Sequence, residues 1–143
     1  GNGGSASQAA HFAGELINRF YRDRPGLPAV ALTTDSAGIT AIANDSDFNR
    51  VFSRQLEALG NPGDTAIGIT TSGKSANVVR ALKVAAKKGM FTLALCGIHT
   101  HDLQAAGTEM ILDVPDTDTP AVQEIHLLIL HLLAERVETD LFP

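Results

Sequence analysis

Apolar positions along this chain change period several times, and each change marks an element. Ala9, Phe12, Ala13, Leu16, Ile17 and Phe20 recur at helical spacing, which predicts a helix from about Ala6 to Tyr21 with Ser5 as N-cap. Pro25-Gly26-Leu27-Pro28 ends it, and Ala29 to Thr33 follows as an apolar run without alternation, the pattern of a buried parallel strand. Ser36 to Asn44 reads as a small-residue helix or coil closed by Asn44-Asp45-Ser46-Asp47, and Phe48 to Leu59 as an amphipathic helix capped by Asp47. The turn cluster Asn61-Pro62-Gly63-Asp64 introduces a strand over Thr65 to Thr70. Val78, Val79, Leu82, Ala85 and Ala86 then set out a helix that stops at Gly89, a C′ residue. Strands over Phe91 to Cys96 and Met110 to Val114 flank a short helical turn. A last helix runs from Pro120 to about Asp140, with Thr119 as N-cap and Pro120 at N1.

Strands alternating with helices define an α/β fold, a three-layer sheet wound on both faces and mainly parallel. Ligands of such sheets gather at the carboxyl ends of the strands. The opening Gly1-Asn2-Gly3-Gly4-Ser5 is a glycine-rich turn with no strand in front of it, and such turns are normally fed by one. Residues upstream of Gly1 are therefore expected to be missing from this sequence, and residues 1–143 are read as one domain, incomplete at its N-terminus.

Composition narrows the class. With 44% hydrophobic and 19% charged residues the chain is globular, and its net charge of −5 offers no basic field for non-specific nucleic-acid binding. No run of residues is long and apolar enough to span a membrane. Cys96 is alone, which excludes an internal disulfide and fits a reducing, cytoplasmic setting.

The polar segment Thr71-Ser72-Gly73-Lys74-Ser75, between a strand and a helix, is the first candidate for chemistry. A hydroxyl-rich turn that opens a helix presents free backbone N–H groups and the positive end of the helix dipole, a natural site for phosphate. Gly68 to Ser75 also satisfies the nucleotide-binding pattern G-x-x-x-x-G-K-[ST], with Met110 to Asp113 as its acidic strand. That reading needs the strand to end before Gly68, leaving only Thr65 to Ile67, below usual strand length. Leaving Gly68 inside the strand, with Thr70, Thr71, Ser72 and Ser75 facing a sugar phosphate, is the more economical reading.

Polar residues inside apolar helices are the second candidate. His11 and Glu15 are four apart and share a face, about 40° apart around the axis. In the last helix Gln123 and His131 are roughly 80° apart and ~12 Å along the axis. His126, three residues from Gln123, is equally eligible, and periodicity does not choose between the two histidines. Taken singly, such residues are most often satisfied core or interface groups. His99 and His101 read as solvated loop residues, and Asp116 and Asp118 as helix-capping groups.

Several segments in fixed order carry a resemblance: Gly1 to Ala6, His11 to Glu15, Arg24 to Pro28, Ala41 to Asp45, Val51 to Gln55, Thr70 to Gly73, Thr117 to Thr119 and Gln123 to His131. Over essentially its whole length the chain resembles the sugar isomerase (SIS) domain family, whose flavodoxin-like sheet is usually preceded by N-terminal helices and a first strand, absent here. Within the family it is most similar to the branch that isomerises sedoheptulose 7-phosphate to glycero-manno-heptose 7-phosphate, the precursor of ADP- or GDP-heptose for bacterial lipopolysaccharide and other surface glycans. The resemblance implies one zinc ion per subunit held by His11, Glu15, Gln123 and His131, and so selects His131 over His126. It implies Glu15 and His131 as the acid/base pair, Thr70, Thr71, Ser72 and Ser75 as phosphate ligands, and Asn2, Gly3, Gly4, Asn44 and Asp45, with Glu15 and Gln123, around the sugar. It also implies a homo-oligomer, a tetramer with shared active sites, and the last helix agrees: Ile125, Leu127 to Leu130, Leu132 and Leu133 surround it almost completely.

The sequence departs from that family's pattern at Ser46-Asp47, where an aromatic residue is usual, at Lys74, where Asn is common, and in the loop Gly97 to His101. None removes a catalytic group. The rival reading within the family is a non-catalytic scaffold that binds the DnaA replication initiator, similar to this chain as far as Leu141-Phe142-Pro143. Its branch lacks a working acid/base pair, whereas Glu15 and His131 are both present here.

Overall fold

A computed structural model describes residues 1–143. The elements in order are α1 (Gly4–Ile17), α2 (Ser36–Asp45), a 3₁₀ turn (Phe48–Arg50), α3 (Ser53–Leu59), β1 (Thr65–Thr70), α4 (Ala76–Lys87), β2 (Phe91–Cys96), α5 (His101–Ala105), β3 (Met110–Asp113) and α6 (Thr119–Leu141). The strands form one parallel sheet in the order β1-β2-β3, with Thr65 opposite Phe91 and Leu93 opposite Met110.

Alternation along the strands divides the interior in two. Ala66, Ala94 and Cys96 point to the face covered by α4, where Val78, Ala81, Leu82 and Ala85 meet Val51, Phe52 and Leu56. Ile69 and Leu95 point to the other face and pack with Leu130 of α6 and with Ala9 and Phe12 of α1. Gly68 lies inside β1, and a Cβ there would stand 2.8 Å from Leu82 and 2.9 Å from Val78. The glycine is thus explained by the close approach of α4. With its first glycine in mid-strand, the loop does not have the placement that the nucleotide-binding pattern requires.

Five element assignments differ from expectation. Gly3, not Ser5, occupies the α1 cap position, and Ser5 is buried in the first turn. Residues Phe48 to Leu59 split into a 3₁₀ turn, capped by Asp47, and the short α3. β3 ends at Asp113 rather than Val114. Asp118, not Thr119, caps α6, its carboxylate accepting from the Ala121 N–H. Ala29 to Thr33 is not a strand, because no ladder partner lies beside it: the Leu32 carbonyl accepts from Gln55 Nε2, and Val30 is 71% exposed.

α1 also stops four residues early, at Ile17, and Glu138 explains why. Its buried carboxylate accepts the backbone N–H groups of Phe20, Tyr21 and Arg22 at 2.8–3.0 Å and the Arg24 Nε–H at 2.9 Å. Arg24 in turn donates to the carbonyls of Glu15 and Leu16 at the end of α1. The chain leaving α1 is thereby wrapped on α6 instead of continuing as helix. Burial opposes charge on Glu138, but the hydrogen bonds from Phe20, Arg22, Tyr21 and Arg24 outweigh it and hold the carboxyl at about 2, below its ordinary 4.5. No helix is long and apolar enough to cross a membrane.

Gly68→Ala should destabilise the fold by about 1–3 kcal/mol through overpacking against α4, measured by denaturant unfolding. A carboxyl whose pKa is depressed on folding stabilises above its unfolded pKa and loses that contribution as pH falls through the folded one. Glu138→Gln should therefore melt well below wild type at neutral pH, with the gap closing as pH falls from 4.5 towards about 2. A constant gap in thermal melts across that window would refute the clamp.

Candidate active site

Parallel strands place their carboxyl ends, and the starts of the helices that follow, on one side of the sheet. A cavity of about 270 Å³ opens there, lined by backbone and small polar groups: Asn2 to Ser5 at the start of α1, Thr70, Thr71 and Ser75 between β1 and α4, and Thr119 and Gln123 in the first turns of α6. Three helix starts meet at one cavity, and each brings first-turn N–H groups and the positive end of its dipole. Thr70 Oγ1 lies 2.9 Å from Ser75 Oγ and 3.4 Å from Ser72 Oγ, so β1 and α4 are joined through hydroxyls that a phosphate could recruit. Gly73 turns the loop with φ of 65°, and its Cα packs against the His99 carbonyl. No side chain is tolerated in that space.

Gln123 reaches this wall because Gly4 has no side chain, since a Cβ on Gly4 would stand 2.5 Å from the Gln123 amide. Ser72 stays with the loop, hydrogen-bonded to the Lys74 N–H, but outside the cavity lining. Asn44 and Asp45 lie exposed at the end of α2, bonded to each other at 2.7 Å, and they also stand outside that lining. Lys74 belongs instead to a basic groove along α4 with Arg80, Lys83 and Lys87.

Further along α1 and α6 is the second cluster. His11 Nε2 lies 2.9 Å from His131 Nε2 and 3.3 Å from Glu15 Oε1, and the three donor atoms all fall within 4.8 Å of one another. Two imidazole nitrogens facing each other need a proton or a cation between them. Ligands ~2.0–2.1 Å from a tetrahedral zinc stand ~3.3 Å apart, near the His11–Glu15 and His11–His131 separations, so the cluster is of a size that could hold a metal ion. Phe20, held by the Glu138 clamp, backs the His131 ring with centroids 5.7 Å apart. His126 has a different environment: it is fully buried, its Nε2 is 3.1 Å from the Cys96 carbonyl, and burial lowers its pKa against the opposing pull of that bond. It is a core histidine over the end of β2. His101 is exposed beside Asp102, while Asp116 caps the Thr117 and Asp118 N–H groups.

Thr119 was not foreseen as a site residue, because a threonine before a proline reads first as a helix cap. Asn77, in the first turn of α4, pairs with Asn2 at 2.9 Å, a contact that local spacing does not reveal because the two are 75 residues apart.

A parallel α/β sheet whose strand ends carry a hydroxyl loop, beside helices that share a His/Glu/His cluster, defines a class of phosphosugar-type sites. The family model described as "SIS domain" matches residues 1–97. A phosphoheptose isomerase from Trichlorobacter lovleyi is 52% identical over 142 residues, covering 99% of this chain and 72% of that protein. One from Desulfovibrio desulfuricans is 53% identical, covering 99% of this chain and 67% of that protein. The solved structure of a phosphoheptose isomerase from Neisseria gonorrhoeae is 43% identical with a TM-score of 0.89, covering 97% of this chain and 73% of that one. The chain belongs to the SIS domain family.

If the loop hydroxyls are the anion ligands, Ser75→Ala should weaken inorganic phosphate binding about tenfold, as expected for one lost hydrogen bond to a charged group. Isothermal titration calorimetry reads this directly, and unchanged affinity would move the anion elsewhere.

Proposed function

We propose that this chain interconverts sedoheptulose 7-phosphate and glycero-manno-heptose 7-phosphate, as a cytoplasmic ketose–aldose isomerase of activated-heptose synthesis. The observation that carries the reading is the pairing of an anion-suited cavity with a His/Glu/His cluster on the same two helices. Gly4 and His11 are seven residues apart on α1, and Gln123 and His131 eight apart on α6, which is ~10–12 Å along each axis. An extended seven-carbon sugar phosphate can bridge that span with its phosphate at the loop and its carbonyl end at the cluster. Half-identical relatives named phosphoheptose isomerase support the substrate class.

The reaction moves hydrogen between neighbouring carbons without a net change of oxidation state. One member of the Glu15/His131 pair takes the proton from C1 while the other delivers a proton to the C2 oxygen, giving the enediol. The O1 proton then leaves and C2 is protonated, which completes the aldose. The hydroxyls of Thr70, Thr71 and Ser75 hold the phosphate, with Ser72 tied to the same loop, and the Asn2-Gly3-Gly4 turn orients the sugar, while Asn44 and Asp45, exposed at the end of α2, take no part at this cavity. His11, Glu15 and His131 would hold a zinc ion, with Gln123 as a fourth ligand only if its amide left the wall beside Gly4, and the bound ion would supply Lewis-acid polarisation of the carbonyl. Mixed nitrogen and oxygen donors suit zinc.

The subunits assemble through α6, on this reading into a tetramer with active sites completed by neighbours. Ile125, Leu128 and Leu132 form an exposed apolar stripe on that helix, which no other part of the chain covers. Leu128→Glu should shift sedimentation velocity towards smaller species.

Glu15→Gln and His131→Gln should each reduce isomerisation of sedoheptulose 7-phosphate by about 10²–10⁴-fold, the usual contribution of a positioned acid or base. Chelation should abolish activity and added zinc restore it. Retained activity in either variant would overturn the acid/base assignment.

A further inference from the structure

The side-chain amide of Asn2, at the cavity wall, faces another amide rather than open space. Asn2 Nδ2 donates to Asn77 Oδ1 at 2.9 Å, and Asn77 Nδ2 donates back to Asn2 Oδ1 at 2.8 Å. Asn77 is 3% exposed in the first turn of α4, where its Oδ1 also accepts the Val78 N–H at 3.0 Å. Asn2 in turn closes the first turn of α1, its carbonyl accepting the Ser5 N–H at 3.0 Å. A reciprocal amide pair fixes distance and orientation together, because each partner is both donor and acceptor. It joins the starts of α1 and α4, two of the three helix starts around the cavity, through residues that the sequence separates by 75 positions.

The geometry points to Asn77 as a positioning residue, acting through Asn2, that sets the glycine turn of α1 at a fixed distance from the hydroxyl loop. With the Asn2 amide engaged by Asn77, recognition of the sugar on this wall falls to the backbone N–H groups of Gly3 and Gly4. This inference rests on the proposed sugar-phosphate reading and adds a prediction to it. A ligand that touches the loop alone should be indifferent to the latch, whereas a ligand that spans loop and turn should depend on it.

The test is a double-mutant cycle with Asn2→Ala, Asn77→Ala and the double variant. The measurements are KM and kcat for sedoheptulose 7-phosphate, its affinity by calorimetry, and the affinity of inorganic phosphate. Each single variant should raise KM and weaken sugar-phosphate affinity about tenfold, with kcat less affected, as expected for a lost pair of partly buried hydrogen bonds. Phosphate affinity should stay within about twofold of wild type, because loop contacts persist. The double variant should resemble either single one, since both substitutions remove the same interaction.

Additive losses, with Asn2→Ala the more severe, would make Asn2 a direct and independent ligand and overturn the latch. Equal weakening of phosphate and sugar phosphate would also overturn it, since that is the signature of general loosening. If Asn77→Ala does not fold, Asn77→Ser, which keeps a polar group at the start of α4 but is too short to pair with the Asn2 amide, takes its place in the cycle with the same expected outcomes. A wild-type chain that binds sugar phosphate without converting it would refute the proposed reaction, while the affinity comparison would still decide the latch. A wild-type chain that binds neither ligand would refute both.

Discussion

Two helices at opposite ends of the chain, α1 and α6, must lie side by side for the His/Glu/His cluster to exist, and Glu138 adds to their apolar packing in holding them there. Its carboxylate gathers three consecutive backbone N–H groups and the Arg24 side chain, and Arg24 reaches on to the carbonyls that end α1. A buried charge with fewer partners would carry a large desolvation penalty. With four donors it becomes a fixed point around which the chain reverses. The reversal sets Phe20 behind His131 and keeps that imidazole turned towards His11 and Glu15. The clamp touches no substrate position, yet the site depends on it.

At the other end of the same helices the governing constraint is the parallel sheet. Parallel strands need crossover helices, so strand ends and helix starts collect on one side. Here that side is lined almost wholly by glycine, threonine, serine and amides, with Ile69 the one large apolar contributor. A binding wall built from backbone N–H groups and hydroxyls accepts an anion without a counter-charged side chain. That is consistent with a net-negative protein taking a phosphorylated ligand. Lys74, the cation nearest the loop in sequence, faces the groove along α4 instead.

Much of this was legible in the residues. Val78, Leu82 and Ala85 mark the buried face of α4 by spacing alone, and the β-branched run before the hydroxyl loop marks β1. Helical spacing put His11 beside Glu15. The ordered motifs carried a family resemblance strong enough to name the chemistry, and the family assignment agrees with it. Ala29 to Thr33 failed for an instructive reason. An apolar run specifies burial, but a strand exists only where a neighbour offers its backbone groups.

What the sequence determined by itself is therefore local: periods, breaks, caps, and the residue types available for chemistry. Tertiary structure decided which of those residues meet. It sent His126 into the core over Cys96 and left His131 beside His11, although both histidines stand on the same helix. It paired Asn2 with Asn77, and it made Glu138 a buried hub where the sequence shows one more acid near a helix end. The physical reason is that periodicity reports an angle around a helix's own axis, whereas contact depends on what packs against that angle. Only the folded chain supplies the second surface.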